Sequence, residues 1–375
     1  TSTRPVGNIR SGICTLDEKW SRIFQSPVTY DTVEYLNHKF PFSDHGNQDF
    51  LIIRANVLPS DKLVSELKDL RPGEVLLDDT SWVAIRSSQG KIEMVDLHLR
   101  FSPRKSSCKI EYIRFLEDIY LKNKTQLLFD FNLLTTGRNS APIDSSNSVY
   151  GNWIFVEEGA QIQGASLNSL EGPIYIGKNS NIEEGSFLKG YVAIGEGARG
   201  KTGARLYPNT TIGPQSTICG EVNNTVIWGN SAKGHEGYLG CSVLGQGCNM
   251  GAGSSNSNLK NNWKPVRLFD YEDLSYRETD EIKCGLFFGD FAMCGINSSF
   301  TTGCVIGVGS QVAISKFIPK FVADFSWMTD AGTKTYTFDK FIEMMERRDE
   351  HAGRKELGDN IAIFNHIFED VKYIK

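Results

Sequence analysis

Aliphatic residues recur every six positions through the middle of the chain. A small or β-branched residue follows most of these anchors four places later, and glycine often follows directly, as in Ile176-Gly177. A period of six matches neither the 3.6-residue turn of a helix nor the alternation of a strand. It predicts a solenoid of short parallel strands, three hexads to a coil, with anchors inside and small residues at the corners. The anchors form three runs: Ile176, Ile182, Leu188, Ile194, Gly200, Leu206, Ile212 and Ile218; then Val226, Ala232, Tyr238, Leu244 and Met250; then Phe288, Cys294, Phe300, Ile306 and Val312.

The residues before this repeat have a different pattern. Strands are predicted at 50–56 (FLIIRAN) and 82–86, and helices at 61–70 and 111–120. Mixed strands and helices indicate a small α/β domain, which we assign to residues 1–134.

The remaining boundaries follow from the same pattern. A polar segment with Gly and Pro predicts a linker over 135–150. The solenoid occupies 151–318. Residues 319–375 form a helical cap, with helices at 337–348 and 360–371, because the end of a solenoid must be covered.

Composition narrows the classes of function. The chain has 375 residues, a net charge of −5 and 23% charged residues. A general nucleic-acid binder would normally be basic, and no apolar stretch reaches the ~18 residues that span a bilayer. We therefore expect neither a nucleic-acid partner nor a membrane partner. The eight cysteines form no CxxC pair and no zinc-ligand spacing, which predicts reduced thiols, no metal site of that kind and a cytoplasmic protein.

Sequence motifs around the second run resemble a known family. The segments GHEGYLG (234–240), GAG (251–253) and Asn258 resemble the acetyltransferase half of the bifunctional N-acetylglucosamine-1-phosphate uridyltransferase/glucosamine-1-phosphate acetyltransferase. The whole chain resembles a bacterial group of sugar nucleotidyltransferases that shares TRPVGNIRSGICTLDEKW (3–20) and SNLKNNW (257–263). The resemblance implies that the solenoid is a left-handed parallel β-helix of hexapeptide repeats. It also implies a homotrimer.

The resemblance also implies roles for individual residues. His235 falls on the position of the general base, and imidazole accepts protons well near neutral pH. Asn258 falls on a residue that positions the acceptor. Tyr238 matches a substrate contact, although its hexad phase equally predicts inward packing. Backbone N–H groups of Ala252 or Gly253 are expected to polarise the thioester of acyl-CoA. The family has a lysine that binds the sugar phosphate. The corresponding position in this sequence is near Asn223 or Asn224, so that lysine is absent here.

The N-terminal segment resembles the end of a sugar nucleotidyltransferase signature. Arg4, Arg10 and Lys19 are the candidates for binding phosphate. The Gly-rich loop that normally precedes this motif is not in the sequence, so we expect a truncated domain. Asn56 stands where the family has a metal-binding Asp, and an amide is a poor Mg²⁺ ligand.

Two further features are open to a functional and a structural interpretation. Residues 195–202 (GEGARGKT) fit the P-loop pattern but lie on the hexad lattice, so we interpret them as a coil corner. Residues 254–283 interrupt the repeat, and substrate binding and surface decoration are equally supported.

The sequence therefore predicts a transferase of the sugar-nucleotide pathway. The leading hypothesis is acyl transfer from acyl-CoA, such as acetyl-CoA, to the amine or hydroxyl of a sugar phosphate or sugar nucleotide, by direct attack. The alternatives are Mg²⁺-dependent nucleotidyl transfer to a sugar 1-phosphate by the N-terminal domain, and a non-catalytic sugar-nucleotide-binding protein. The identity of the acceptor sugar is not contained in the sequence.

Overall fold

The computed structural model describes residues 2–44, 46, 48–353 and 355–370. The chain forms two compact units. The first comprises the residues up to 9 together with 14–115, and the second comprises 10–13 and the residues from 116 onward. The compact units therefore divide the chain at residue 115, whereas the predicted α/β domain extends to 134.

The first unit is a small mixed sheet with helices. The strand order is β1-β4-β3-β5, with β3 and β5 parallel and the other neighbours antiparallel; β2 and β6 form a separate antiparallel pair. Its apolar core includes Trp20, Leu63, Leu67 and Val83. The elements are α1 Leu16–Phe24, α2 Asp61–Lys68 and α3 Leu97–Arg100, strands β1 Phe50–Ile53, β2 Val57–Leu58, β3 Glu74–Leu77, β4 Trp82–Ser87, β5 Ser102–Lys105 and β6 Glu111–Tyr112, and 3₁₀ turns Val6–Asn8 and Glu34–Leu36.

One predicted helix of this region is wrong. Residues 111–112 form strand β6, and helix begins only at Asp118. Tyr112 pairs with Val57 and is buried in the core of the first unit, so strand pairing outweighs the helical apolar spacing of this segment.

The second unit is built around a parallel β-helix, which confirms the predicted fold class. Each coil contributes one short strand to each of three faces, and like faces stack in parallel register. The first face consists of β7 Ser148–Tyr150, β10 Ser166–Asn168, β13 Phe187–Lys189, β16 Arg205–Leu206, the starts of β19 Glu221–Gly229 and β21 Tyr238–Gln246, β23 Ser255–Asn256, β28 Ser299–Phe300 and β31 Phe317–Ile318.

The other two faces complete each coil. The second face consists of β8 Ile154–Val156, β11 Ile174–Ile176, β14 Val192–Ile194, β17 Thr210–Ile212, the ends of β19 and β21, β26 Leu286–Phe288, β29 Cys304–Ile306 and β32 Phe321–Val322. The third face consists of β9 Gln161–Ile162, β12 Asn181–Ile182, β15 Arg199–Gly200, β18 Thr217–Ile218, β20 Ala232–Lys233, β22 Asn249–Met250, β27 Met293–Cys294, β30 Gln311–Ala313 and β33 Ser326–Thr329, to which β34 Gly332–Thr335 adds an antiparallel edge.

The first and third hexad runs are confirmed as the inward positions. Ile176, Ile194 and Ile212 stack directly and are fully buried. The glycines after them are required by close stacking, because a Cβ on Gly177 would lie 2.7 Å from the Gly195 carbonyl carbon. Residues 195–202 form such a corner and strand β15, as the lattice predicts.

The second run was predicted one residue out of phase. Ile227 stacks on Ile212, Lys233 on Ile218 and Leu239 on Val222, so these residues point inward in place of Val226, Ala232 and Tyr238. Four residues separate Ile218 from the next anchor, Val222, and five separate Val222 from Ile227. The phase slip therefore shortens two successive hexads. A third short step of five residues, from Leu239 to Leu244, returns Leu244 and Met250 to the predicted positions.

Two helices cover the second face. They are α4 Asp118–Leu121 and α5 Asn123–Thr135. Phe131 packs edge-on against Trp153, and Tyr120 packs on Phe287. Asn123 donates to the Asn209 carbonyl over 2.9 Å and accepts from the Thr211 hydroxyl over 3.1 Å. Residues 116–135 are therefore part of the solenoid unit.

The C-terminal helices close the last coil, as predicted, but the cap starts later than residue 319, because strands β32 to β34 continue the solenoid to Thr335. They are α6 Phe338–Ala352 and α7 Ile361–Asp370; position 371 of the predicted second helix lies outside the described residues. Phe341 of α6 lies 5.1 Å, between ring centroids, from both Phe325 of the last coil and Phe364 of α7. No helix of the described residues is long and apolar enough to cross a membrane.

Candidate functional site

The corner after β20 carries the predicted general base. Residues 234–237 connect β20 on the third face to β21 on the first face. His235 is exposed there, and its imidazole makes no hydrogen bond to a described residue. The backbone around it is tightly held: Lys201 donates to the Gly234 carbonyl over 3.0 Å, and the Gly253 N–H donates to the Glu236 carbonyl over 3.0 Å. A free imidazole on a fixed corner has the properties of a general base.

Tyr238 points outward, which decides between its two predicted orientations. Its neighbour Leu239 takes the inward position and is fully buried. The Tyr238 ring lies across Gly240, where a Cβ would stand 2.1 Å from the phenolic oxygen. Glycine at position 240 therefore gives the ring its place on the first face.

Asn258 meets Tyr238 directly. The side-chain amide of Asn258 donates to the Tyr238 hydroxyl over 2.9 Å, although the two residues are twenty positions apart in the sequence. The β-helix brings these two sequence-predicted residues together. His235 lies three positions before Tyr238, on the corner that leads into β21.

Asn256 is a residue of the site that sequence reasoning missed. It occupies an inward position of β23 and is buried. Its side chain accepts from the Gly240 N–H over 2.9 Å and donates to the Gly240 carbonyl over 3.1 Å, so it replaces the missing backbone pairing between these coils. The signal for it was present in the sequence, because Asn256 falls six residues after the anchor Met250.

A buried thiol adjoins this pair. Cys241 lies 3.4 Å (Sγ) from the Asn258 amide nitrogen and 3.5 Å from that of Asn224. Asn224 and Cys241 both have left-handed backbone, with φ of 48° and 50°. Burial raises the pKa of the Cys241 thiol, against the lowering effect of its amide neighbours. The sulfur is therefore a thiol near neutral pH and is a poor nucleophile.

The hydroxyl of Tyr238 is also protonated near neutral pH. Burial raises its pKa, and the nearby Cys241 and Glu221 add to the effect. The asparagines Asn223 and Asn224 occupy the region where the resemblance would place a phosphate-binding lysine. The part of the site around Tyr238 and Asn258 therefore offers neutral donors and acceptors for hydrogen bonding.

The interruption predicted at 254–283 begins only after Asn258, because β23 Ser255–Asn256 still pairs with the next coil. The Cys284 N–H donates to the Asn258 carbonyl over 2.9 Å, and Leu259 pairs with Lys283. Between these ends, β24 Arg267–Asp270 and β25 Ser275–Glu278 form an antiparallel hairpin. Phe269 stacks on Phe321 of the coil at 3.6 Å. The insertion thus has a packed outer part and a base that fixes the position of Asn258.

One of the two backbone N–H groups predicted to bind the thioester already donates a hydrogen bond within the protein. The N–H of Gly253 donates to Glu236, as described above, so it is not directed at a ligand. The N–H of Ala252 remains the candidate, and the Ala252 carbonyl accepts from the Asn297 N–H over 2.7 Å.

The predicted phosphate-binding residues are distributed over both units. Arg10 belongs to the solenoid unit, where its guanidinium donates to the carbonyl of Trp228 over 3.0 Å and to that of Ile13. Arg4 and Lys19 belong to the first unit; Arg4 donates to Asn8 over 3.3 Å, and Lys19 is fully buried in α1. All three residues are buried, which argues against direct phosphate contact by any of them.

Asn56 is not suited to bind Mg²⁺. The side chain of Asn56 donates to the Ile113 carbonyl over 3.2 Å, and its Oδ1 is buried without a partner. Among the described residues, no group of three or more His, Cys, Asp or Glu side chains could hold a metal ion. Magnesium prefers carboxylate oxygens, which this position lacks.

Comparison with known proteins supports the resemblance found in the sequence. Residues 1–139 match the sequence model of the family described as sugar nucleotidyl transferase. The chain is 28% identical over 138 residues to the bifunctional protein GlmU of Methanocaldococcus jannaschii, which covers 36% of this chain and 30% of that protein. It is 28% identical over 183 residues to a bifunctional sugar-1-phosphate nucleotidylyltransferase/acetyltransferase of Sulfurisphaera tokodaii, covering 43% of this chain and 45% of that protein. The chain thus spans less than half the length of these relatives.

Solved structures with some likeness include acyltransferases. A UDP-N-acetylglucosamine acyltransferase from Campylobacter jejuni has a TM-score of 0.31 and 15% identity, covering 62% of this chain and 94% of that one. AntD, an N-acyltransferase from Bacillus cereus solved with dTDP and 3-hydroxybutyryl-CoA, has a TM-score of 0.26 and 14% identity, covering 48% of this chain and 90% of that one.

Proposed function

We propose that the β-helix unit transfers an acyl group from acyl-CoA to an amine or hydroxyl of a sugar phosphate or sugar nucleotide. The observation that carries this proposal is the contact between Tyr238 and Asn258 on the coil whose corner presents His235. A base and two neutral polar groups suit an uncharged nucleophile. The curated relatives with both nucleotidyl and acetyl transfer in their names support the same class of reaction.

The proposed chemistry needs no covalent enzyme intermediate. The imidazole of His235 takes the proton from the acceptor as its nitrogen or oxygen attacks the thioester carbonyl. The tetrahedral intermediate collapses with loss of the CoA sulfur, which leaves as the thiol after receiving a proton. Asn258 orients the acceptor, and the Ala252 N–H is the candidate donor to the developing oxyanion. The protonated state of Cys241 supports direct transfer, because this neighbouring sulfur does not compete as nucleophile.

Thiol release is the direct test. Acetyl-CoA is incubated with the full chain and with a panel of amino sugars, their 1-phosphates and nucleoside diphosphate sugars, and free CoA is measured with a thiol reagent. The proposal expects acceptor-dependent thiol release that His235→Ala abolishes. The absence of release with every acceptor and with longer acyl-CoAs would contradict it.

A second candidate function is nucleotidyl transfer by the first unit. The match of residues 1–139 to the sugar nucleotidyl transferase family favours it. Asn56 and the burial of Lys19 argue against it. We expect weak or absent pyrophosphate release from nucleoside triphosphate, sugar 1-phosphate and Mg²⁺. Robust release would reverse the order of the two proposals.

A homotrimer is part of the proposal. Outward residues of the second face, such as Val226 and Phe287, are buried, and Tyr120 of α4 packs on Phe287. Packing between coils would therefore use the first and third faces, which include the strands that flank His235. Light scattering at micromolar concentration tests the assembly, and a monomer mass would refute it.

A further inference from the structure

A lysine occupies one of the inward positions of the β-helix. Lys233 stacks on Ile218 of the coil below, at a position that the repeat otherwise fills with aliphatic residues. It is 3% exposed. A buried ammonium is unfavourable unless its donors are satisfied, so its retention here needs a physical reason.

The ammonium of Lys233 has two backbone partners. It donates to the Cys219 carbonyl over 3.0 Å and to the His235 carbonyl over 2.8 Å. Cys219 lies on the corresponding corner of the coil below. The lysine therefore ties the peptide that carries the predicted base to the neighbouring coil from inside the solenoid.

The space for this ammonium is provided by glycine. A Cβ on Gly220 would lie 2.8 Å from Lys233 Nζ and 2.9 Å from the His235 carbonyl oxygen. Gly220 also has a φ of +77°, which favours glycine. The coil below is thus shaped to accept both the lysine and the corner.

Two more cations hold the same corner from outside. Lys201 donates to the Gly234 carbonyl, as described, and Arg205 forms an ion pair with Glu236 at 2.8 Å. Three successive residues, 234 to 236, are each held by a different cationic side chain. The imidazole of His235 is exposed on a backbone that these contacts restrain.

We propose that Lys233 is a positioning residue for His235, with Lys201 as its weaker external counterpart. The proposal rests on the function proposed above. A general base works through a short, aligned contact with the acceptor, and misplacement by about 1 Å can reduce a rate roughly 100-fold. By holding the His235 carbonyl, Lys233 restricts the backbone position from which the imidazole extends. Lys233 itself does not contact the acceptor in this proposal.

Lys233→Met separates positioning from folding. Methionine fits an inward apolar position, and it removes the buried charge together with both hydrogen bonds. We expect an unchanged or higher Tm and an unchanged KM for acetyl-CoA. We expect kcat to fall by roughly 10- to 100-fold, and hydrogen–deuterium exchange to accelerate in peptides covering 234–237. Lys178→Met, which removes one exposed lysine from another corner of the solenoid, is the matched control and should change none of these.

The outcomes distinguish this proposal from the function on which it rests. His235→Ala with wild-type activity would overturn the function, and the positioning role would then be judged by hydrogen exchange alone. A slow His235→Ala beside a Lys233→Met with wild-type kcat would overturn the positioning role. In the His235→Ala background, Lys233→Met should cause no further loss.

Lys201→Met keeps the proposal testable if Lys233→Met does not fold. Lys201 is half-exposed, so its replacement leaves the interior intact. We expect a smaller fall in kcat, with the same unchanged KM for acetyl-CoA and the same faster exchange at Gly234. Wild-type kcat and exchange in this variant would contradict the proposal.

Discussion

The coils from Ile176 to Ile218 and the coils from Val222 to Phe300 use the same architecture in different ways. In the first group, the inward positions are aliphatic apart from Gly200, and the strands repeat every six residues. In the second group, three hexads between Ile218 and Leu244 are shortened, Lys233 and Asn256 take inward positions, and an insertion leaves the coil after Asn258. The regular coils are a scaffold. The departures from regularity occur where the candidate site residues lie, as is common for sequences that relax a local rule at a site.

Replacing an anchor of the regular coils with a charge should have the largest effect. Ile218→Lys would place a second ammonium directly beneath Lys233, without the carbonyl partners that Lys233 has. We expect a loss of more than about 3 kcal/mol in the free energy of unfolding, measured by urea denaturation. Lys233→Met should differ from wild type by about 1 kcal/mol or less. If Ile218→Lys and Lys233→Met destabilised the protein equally, the two groups of coils would not differ in how their inward positions tolerate substitution.

Removal of the predicted base should leave the scaffold intact. His235→Ala removes an exposed side chain, so the free energy of unfolding should change by no more than about 0.5 kcal/mol. The acyl-transfer rate should fall by roughly 10²–10⁴-fold. Urea denaturation and the thiol-release assay measure the two quantities. Full activity in this variant would mean that the irregular coils carry their chemistry elsewhere.

The buried lysine should make stability depend on pH. Burial lowers the pKa of Lys233 from 10.5 to about 8, with Cys219, Glu236, Arg205 and Cys294 as its charged or titratable neighbours. Between pH 8 and 10.5 the unfolded chain binds a proton that the folded chain lacks, so stability rises with pH in this range. The rise attributable to Lys233 is at most about 3 kcal/mol.

The difference between wild type and Lys233→Met isolates this effect. Unfolding is measured for both proteins from pH 7 to pH 10.5, and the wild-type curve should rise more steeply above pH 8. Parallel curves would show that the ammonium is solvated or that its pKa is the ordinary one.

The smallest predicted effect concerns the place of the Tyr238 ring. Gly240→Ala would put a methyl group 2.1 Å from the Tyr238 hydroxyl and displace it from Asn258. We expect KM for the acceptor to rise by about tenfold, equivalent to roughly 1.4 kcal/mol, with little change in KM for acetyl-CoA. The same substitution in a Tyr238→Phe background should add little. A large additional effect there would show that Gly240 acts on the strand and not through Tyr238.

The sequence by itself determined the coil, because stacking imposes a period of six that neither helix nor strand produces. It identified Ile176 to Ile218 as the interior, the closing helices, and the candidates His235, Tyr238 and Asn258. The sequence left open whether Tyr238 faces inward or outward, because a shift of one residue in the repeat reverses which side chains face inward. Local apolar spacing also predicted a helix at 111–120, where pairing with β2 decided otherwise.

The tertiary structure decided what lies across coils. The contact of Asn258 with Tyr238 depends on the stacking of residues twenty positions apart, and the assignment of α5 to the solenoid depends on packing against the second face. Lys233 appeared in the sequence as an ordinary charged residue beside a glycine. Its burial, and its bond to the His235 carbonyl, follow from strand register, which residue type alone does not specify.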